Sequence, residues 1–208
     1  MGQRVRDGDA GASTVSPYLP LYFEANGQTT SGPFLGYWLS NPHIGEPVSQ
    51  IVMFNGNWTQ WFEFARLELY DVPFDVATGA DIVEIQIGQS FSDSVGYARQ
   101  IEAFLPKASG AERFFPETGH SLTTGFRSAY ETSGVPEQLG PPISDEFSIG
   151  ETVYQFFEYG AFSWTSGTGV VRIAVGLLDA GLNGQIAAWQ GKPDGAIDVS
   201  LVQSVADA

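Results

Sequence analysis

Apolar residues along this chain fall in short bursts separated by Gly, Pro, Ser, Thr and Asn, the punctuation of short strands and short helices. Phe34, Leu35, Trp38 and Leu39 lie on one stripe at helical spacing and predict a short helix over 34–40. Asn41-Pro42 ends it, because a residue before proline is pushed out of the helical region. The strongest β pattern runs over 58–70. Trp58, Phe62 and Phe64 share one parity there, while Trp61, Ala65, Leu67 and Leu69 share the other, so a bulge or turn is expected near Phe64-Ala65. Farther on, 155–159 and 161–164 flank Gly160, which predicts a tight hairpin with that glycine at positive φ. Each hairpin leads to a Gly-marked turn and a strand. Ile82, Val83, Ile85 and Ile87 end at Gly88, and Val170, Val171, Ile173 and Val175 end at Gly176. Tyr97, Ile101 and Phe104 sit at helical spacing within 92–108, and 177–190 is a weaker helix interrupted by Gly181 and Gly184.

These elements occur twice. Leu21-Tyr22-Phe23-Glu24 returns as Arg113-Phe114-Phe115-Pro116-Glu117, Phe34 with Trp38 as Phe126 with Tyr130, and Gln60-Trp61-Phe62-Glu63-Phe64 as Gln155-Phe156-Phe157-Glu158-Tyr159. Ile44-Gly45-Glu46-Pro47 comes back as Leu139-Gly140-Pro141-Pro142. A fixed-period recurrence is the signature of a modular scaffold. The expected fold is mainly β with short helices (α+β), as two similar β-hairpin/helix repeat units in a tandem pseudo-twofold arrangement. The division expected is a flexible leader at 1–17, unit one at 18–89, a linker at 90–111, unit two at 112–190 and a tail at 191–208.

Composition narrows the function classes. The 208 residues include 15 Phe, 8 Tyr and 5 Trp, ample apolar area for a folded core. A net charge of -15 opposes binding to nucleic acid or to an anionic membrane surface. Without cysteine, disulfides and thiolate metal sites are excluded. No apolar run approaches the roughly 20 residues needed to span a bilayer, so membrane insertion is not expected.

Leu139-Gly140-Pro141-Pro142, Ser144-Asp145-Glu146 and Phe157-Glu158-Tyr159-Gly160-Ala161-Phe162-Ser163-Trp164 together resemble the LGFP repeat. Pro141 departs from that family's usual Phe. The Phe114-Phe115-Pro116-Glu117-Thr118-Gly119-His120 element and the hairpin from Thr59 to Glu68 are also similar to extracellular "YFPETGH…VQYFERARFE" repeat regions of Chloroflexi-type bacteria. The resemblance implies an extracellular or cell-surface module. It carries over no catalytic residue.

Candidate chemistry is sparse. Glu63 with Glu158, and Glu24 with Glu117, recur and would suit glycoside hydrolysis if held across a cleft. Recurrence at equivalent hairpins favours structural roles for Glu63 and Glu158, and likewise for Gly45, Gly140 and Gly160. His43 and His120 read as loop and turn residues, no nucleophile elbow or phosphate loop occurs, and Asp145-Glu146 lacks EF-hand spacing. No catalytic residue, metal site or cofactor is therefore assigned, and the pattern leans away from an enzyme. The better lead is Trp58, Trp61, Tyr70, Tyr154, Tyr159 and Trp164, rings that would contact a cell-wall glycan or a protein partner. The expected function is a non-catalytic binding module; a structural spacer without a small ligand is the alternative.

Overall fold

A computed structural model describes residues 3–5, 19–70, 82–110 and 112–185. In chain order the elements are β1 (Gln3–Val5), β2 (Leu21–Phe23), β3 (Gln28–Thr30), α1 (Gly32–Ser40), β4 (Val52–Phe54), β5 (Asn57–Trp61), β6 (Arg66–Leu69) and β7 (Ile82–Glu84). There follow α2 (Ile87–Ser94), α3 (Tyr97–Gln100), β8 (Arg113–Phe115), β9 (His120–Leu122), α4 (Thr124–Tyr130) and α5 (Val135–Leu139). The chain continues with β10 (Phe147–Ile149), β11 (Thr152–Phe157), β12 (Gly160–Thr165), β13 (Gly169–Ile173) and α6 (Val175–Leu182). Two four-stranded antiparallel meanders, β4–β7 and β10–β13, carry the fold, with small sheets β1-β2-β3 and β8-β9 beside them. The fold is β-rich with short helices, as the pattern predicts.

The duplication is visible in the packing. Phe23 meets Trp38 edge to face at 5.3 Å, and Phe115 meets Tyr130 the same way at 5.8 Å. Trp38 donates its indole N–H to the Gly45 carbonyl at 2.7 Å, as the Tyr130 hydroxyl does to the Gly140 carbonyl at 3.1 Å. Each hairpin buries a glutamine whose amide bridges two backbone carbonyls: Gln60 those of Thr29 and Ser49, Gln155 those of Ser121 and Ser144. A buried amide must find such partners or lose its hydration uncompensated. The same polar pin therefore joins hairpin to loop in both copies.

The compact units do not follow the sequence repeat. One runs up to Ile85 and takes in the helical segment from Gly176; the other runs from Gln86 to Val175. In the first unit the core is Phe34, Ile44, Phe62, Ala65, Leu67 and Ile82, with Leu21, Phe23 and Leu35 beside it. In the second it is Phe115, Leu122, Phe126, Tyr130, Leu139, Phe157 and Phe162. The opposite face of the β10–β13 sheet is covered by residues expected to be a linker. Phe91, Tyr97 and Phe104 close over Phe147, Tyr154 and Phe156 with ring separations of 5.6–6.2 Å. Helix α2 is thus part of the second unit, and α6 part of the first.

Several expectations are corrected. The strands before Gly88 and Gly176 stop at Glu84 and Ile173, and helices begin at Ile87 and Val175. The reason is contact: a Cβ on Gly88 would lie 1.9 Å from the Phe157 carbonyl oxygen, and one on Gly176 would lie 2.0 Å from that of Phe62. Each glycine lets a helix start against the turn of a hairpin. The α6 helix ends at Leu182, and 186–190 of the expected 177–190 helix lie outside the described residues. Gly160 has no positive φ. The turn residues are Glu158-Tyr159, and Phe157 pairs with Gly160 across them. Gly160 is small because a Cβ would come within 2.7 Å of a Leu139 methyl. The matching turn in the first unit is Glu63-Phe64, one residue before the position expected. Gln3–Val5, within the expected flexible leader, pair in parallel with Leu21–Phe23. The remainder of the leader and the tail at 191–208 lie outside the described residues.

Candidate functional site

Alternation decides where each candidate ring points. In β11, Val153, Gln155 and Phe157 face the α4 side, and Tyr154 and Phe156 face the α2 side. Trp164 pairs with Val153 on one strand and Val170 on the other, which puts its indole on the α4 side. The α4 helix starts at Thr124, so Phe126 closes the far wall. Together with Thr124, Gly125 and Glu146, these residues line an open cavity of about 360 Å³. Trp164 remains 39% exposed at its edge.

The polar rim is held in place. Glu146 accepts a short hydrogen bond from the Thr123 hydroxyl. The Thr124 N–H donates to Glu112 at 3.1 Å. Thr124 itself has φ +38, a left-handed conformation that a β-branched residue rarely adopts. In the first unit the equivalent position is Gly32, also at positive φ. A threonine kept where glycine is the unstrained choice marks this rim as locally strained, a feature that clusters at ligand sites.

A second cavity of about 260 Å³ is lined by Lys107, Gly110, Ser121, Thr123, Asp145 and Glu146. Glu146 borders both cavities. Asp145 accepts from Lys107 at 2.5 Å and from the Ser121 N–H at 2.9 Å. The Asp145 carboxylate holds the Lys107 ammonium pKa above its ordinary value. His120 is buried in β9, not placed in a turn, and its Nδ1 lies 3.8 Å from Asp145 without a hydrogen bond. Burial pushes its pKa down, against the pull of Asp145.

The six candidate rings separate clearly. Trp61 is 0% exposed and donates its indole N–H to Asp179 at 2.7 Å, so it has no face to offer a ligand. Tyr154 is 6% exposed and packs against Phe147, the rings 5.9 Å apart and tilted by 31°. For both, the expected ligand contact is corrected: a strand covered on two faces buries its aromatics at both parities. Tyr159 is half-buried against Gly140. Trp58 and Tyr70 are exposed at 49% and 42%, although the Tyr70 hydroxyl is engaged by Glu68 at 3.1 Å. Trp164 alone among the six lines the larger cavity.

The recurrent carboxylates sit against glycines. A Cβ on Gly45 would meet the Glu63 side chain at 2.6 Å, and one on Gly140 would meet that of Glu158 at 3.0 Å. Both glycines have positive φ, and the Glu63 carboxylate accepts the Glu46 N–H at 3.4 Å. Desolvation raises the pKa of Glu158. Glu24 and Glu117 are exposed. Neither Glu63 nor Glu158 borders the two cavities described above.

Residues 139–180 match the family model of the LGFP repeat. That segment is LGFP-repeat-like, and the LGFP repeat is a repeat module often associated with the cell surface. No curated protein matches the chain. The LGFP segment begins at Leu139, which packs behind Gly160, and ends inside α6. It carries Glu146, Val153, Trp164 and Val170 of the larger cavity, whereas Thr124, Gly125 and Phe126 precede it. Among the described residues no helix is long and apolar enough to cross a membrane, and no group of three or more His, Asp or Glu could hold a metal ion.

Of the groove residues, sequence pattern points to Trp164 alone as a ligand contact. One signal for the others does exist within the chain. Glu146 occupies the position that Ile51 occupies in the first copy, a charge where its counterpart is apolar.

Proposed function

We propose that the chain is a non-catalytic, extracellular or cell-envelope repeat module that binds a glycan through the Trp164 groove of its second unit. The observation that carries this reading is the groove itself: an exposed indole between Val153 and Val170, facing Phe126, with the Glu146 carboxylate at its rim. An indole offers a flat apolar face to a sugar ring at low conformational cost, and a carboxylate accepts strong hydrogen bonds from hydroxyls. The volume stands near the lower end of the roughly 300–1,000 Å³ typical of ligand pockets, which suits one sugar ring. A surface of net charge -15 disfavours an anionic ligand. The LGFP-like segment supports the cell-surface setting.

The test is a titration with peptidoglycan fragments and neutral glycans, followed through the tryptophan indole signals by NMR. The Trp164 indole is expected to shift while that of buried Trp61 stays still, and Trp164→Ala is expected to abolish binding. Silence from every indole would remove the glycan reading and leave a spacer role.

A further inference from the structure

We propose that the site continues past Glu146 into the second cavity. The ligand is then an oligosaccharide of at least two rings bearing hydroxyl or acetamido groups, one ring on Trp164 and the next beside Lys107 and Asp145. This inference rests on the glycan reading of the Trp164 groove and names the ligand class more closely.

Three observations carry it. The two cavities share Glu146 and are bordered by the consecutive residues Thr123 and Thr124, so they adjoin within one unit. Their linings differ in kind. The first is walled by Phe126, Val153, Trp164 and Val170, and the second by Lys107, Ser121, Thr123 and Asp145. The second also offers donors and acceptors together. Lys107 has three N–H groups and spends one on Asp145, while the carboxylates of Asp145 and Glu146 retain unused lone pairs.

That mixture selects chemistry. A simple anion would be repelled by Asp145 and Glu146, and a simple cation would have to compete with Lys107, already bound at 2.5 Å. Hydroxyl and acetamido groups donate and accept at once, so they satisfy both kinds of partner. A chain of sugars also alternates a flat C–H face with a rim of such groups. It can lay the first on the indole and turn the second toward the polar cavity.

The experiment titrates the full chain with N-acetylglucosamine and, separately, with its β-1,4-linked tetramer. Calorimetry reads affinity and amide NMR reads the footprint. The tetramer is expected to bind roughly tenfold or more tightly, because the second contact becomes intramolecular once the first is made. It is also expected to shift the Gly110 and Ser121 amides along with the Trp164 indole. Lys107→Ala, at a half-exposed position outside the core, is expected to lower tetramer affinity by roughly tenfold. Equal affinity for the two sugars, or still Gly110 and Ser121 amides, would overturn the extension while leaving the Trp164 site standing. If neither sugar moves the Trp164 indole, the glycan reading falls and the extension falls with it.

Discussion

The two units fill one equivalent place in opposite ways. In the second, α2 lays Phe91 on Phe156, the rings 6.2 Å apart and within 3° of parallel. In the first, α6 brings Asp179 to the corresponding place. Its carboxylate there accepts from the Trp61 indole at 2.7 Å and from Arg66 at 2.8 Å. Trp61 and Arg66 are cross-strand partners, as are their counterparts Phe156 and Ala161. Asp179 is fully buried, and its other carboxylate oxygen has no hydrogen-bond partner. One backbone arrangement therefore accepts either an apolar stack or a buried ion pair. The apolar version needs only shape. The ionic version must satisfy each charge it buries, and it discriminates against a wrong helix more sharply.

The largest effect should come from breaking the ionic version. Asp179→Ala leaves the Trp61 N–H buried without its acceptor and leaves Arg66 with Glu68 alone, 3.2 Å away, and is expected to cost about 2–4 kcal/mol in urea unfolding. Transplanting the other unit's solution, as Asp179→Phe with Trp61→Phe, Arg66→Ala and Glu68→Ser (the last because Glu68 pairs with Arg66 at 3.2 Å and Ser163 is its counterpart), is expected to be neutral or stabilising relative to the parent. A transplant as damaging as Asp179→Ala would show that the two places are not equivalent.

A smaller effect should separate the hairpins. Gly160→Ala pushes a methyl into Leu139 and is expected to cost roughly 1–3 kcal/mol by thermal or urea unfolding. The first unit already holds Ala65 at this position, behind Ile44. Adding Leu139→Ile to Gly160→Ala should therefore recover much of the loss. No recovery would mean that the turn itself, not the Leu139 contact, demands glycine.

The smallest effect is a difference in acid sensitivity. Burial lowers the His120 pKa below its ordinary 6.5, so the unfolded chain takes up the proton first as pH falls. Its neutral form supports the fold above 6.5, and that support is lost as pH drops through the lowered folded value. The first unit has Gln28 at this position, which does not titrate. His120→Gln should flatten the decline in melting temperature between neutral and mildly acidic pH. An unchanged decline would show that His120 does not set it.

What could be seen in advance was what recurs locally. The Phe34–Trp38 stripe, the Gly45/Gly140 elements and the paired Gln60 and Gln155 are visible as repeats, and each makes the same contacts twice. What could not be seen depended on residues distant in sequence. Ile85 and Ile87 read as one β run, yet the Phe157 carbonyl beside Gly88 imposes a helix start. Trp61 and Trp164 are equally aromatic strand residues. Only the helix covering the Trp61 face makes one a buried donor, while the other stays at an open edge. The role of Glu146 is hidden for the same reason, since it lies in neighbours 22 and 23 positions earlier, Thr124 and Thr123.

The helix that follows each four-stranded sheet completes a unit other than the one its own sheet builds. Genetic period and folding period are consequently out of phase. Excising residues 112–174 as a contiguous cassette would strip away Phe91, Tyr97 and Phe104 and leave Phe156 facing water. A gene that gains or loses one repeat would therefore leave one such helix without the sheet it covers.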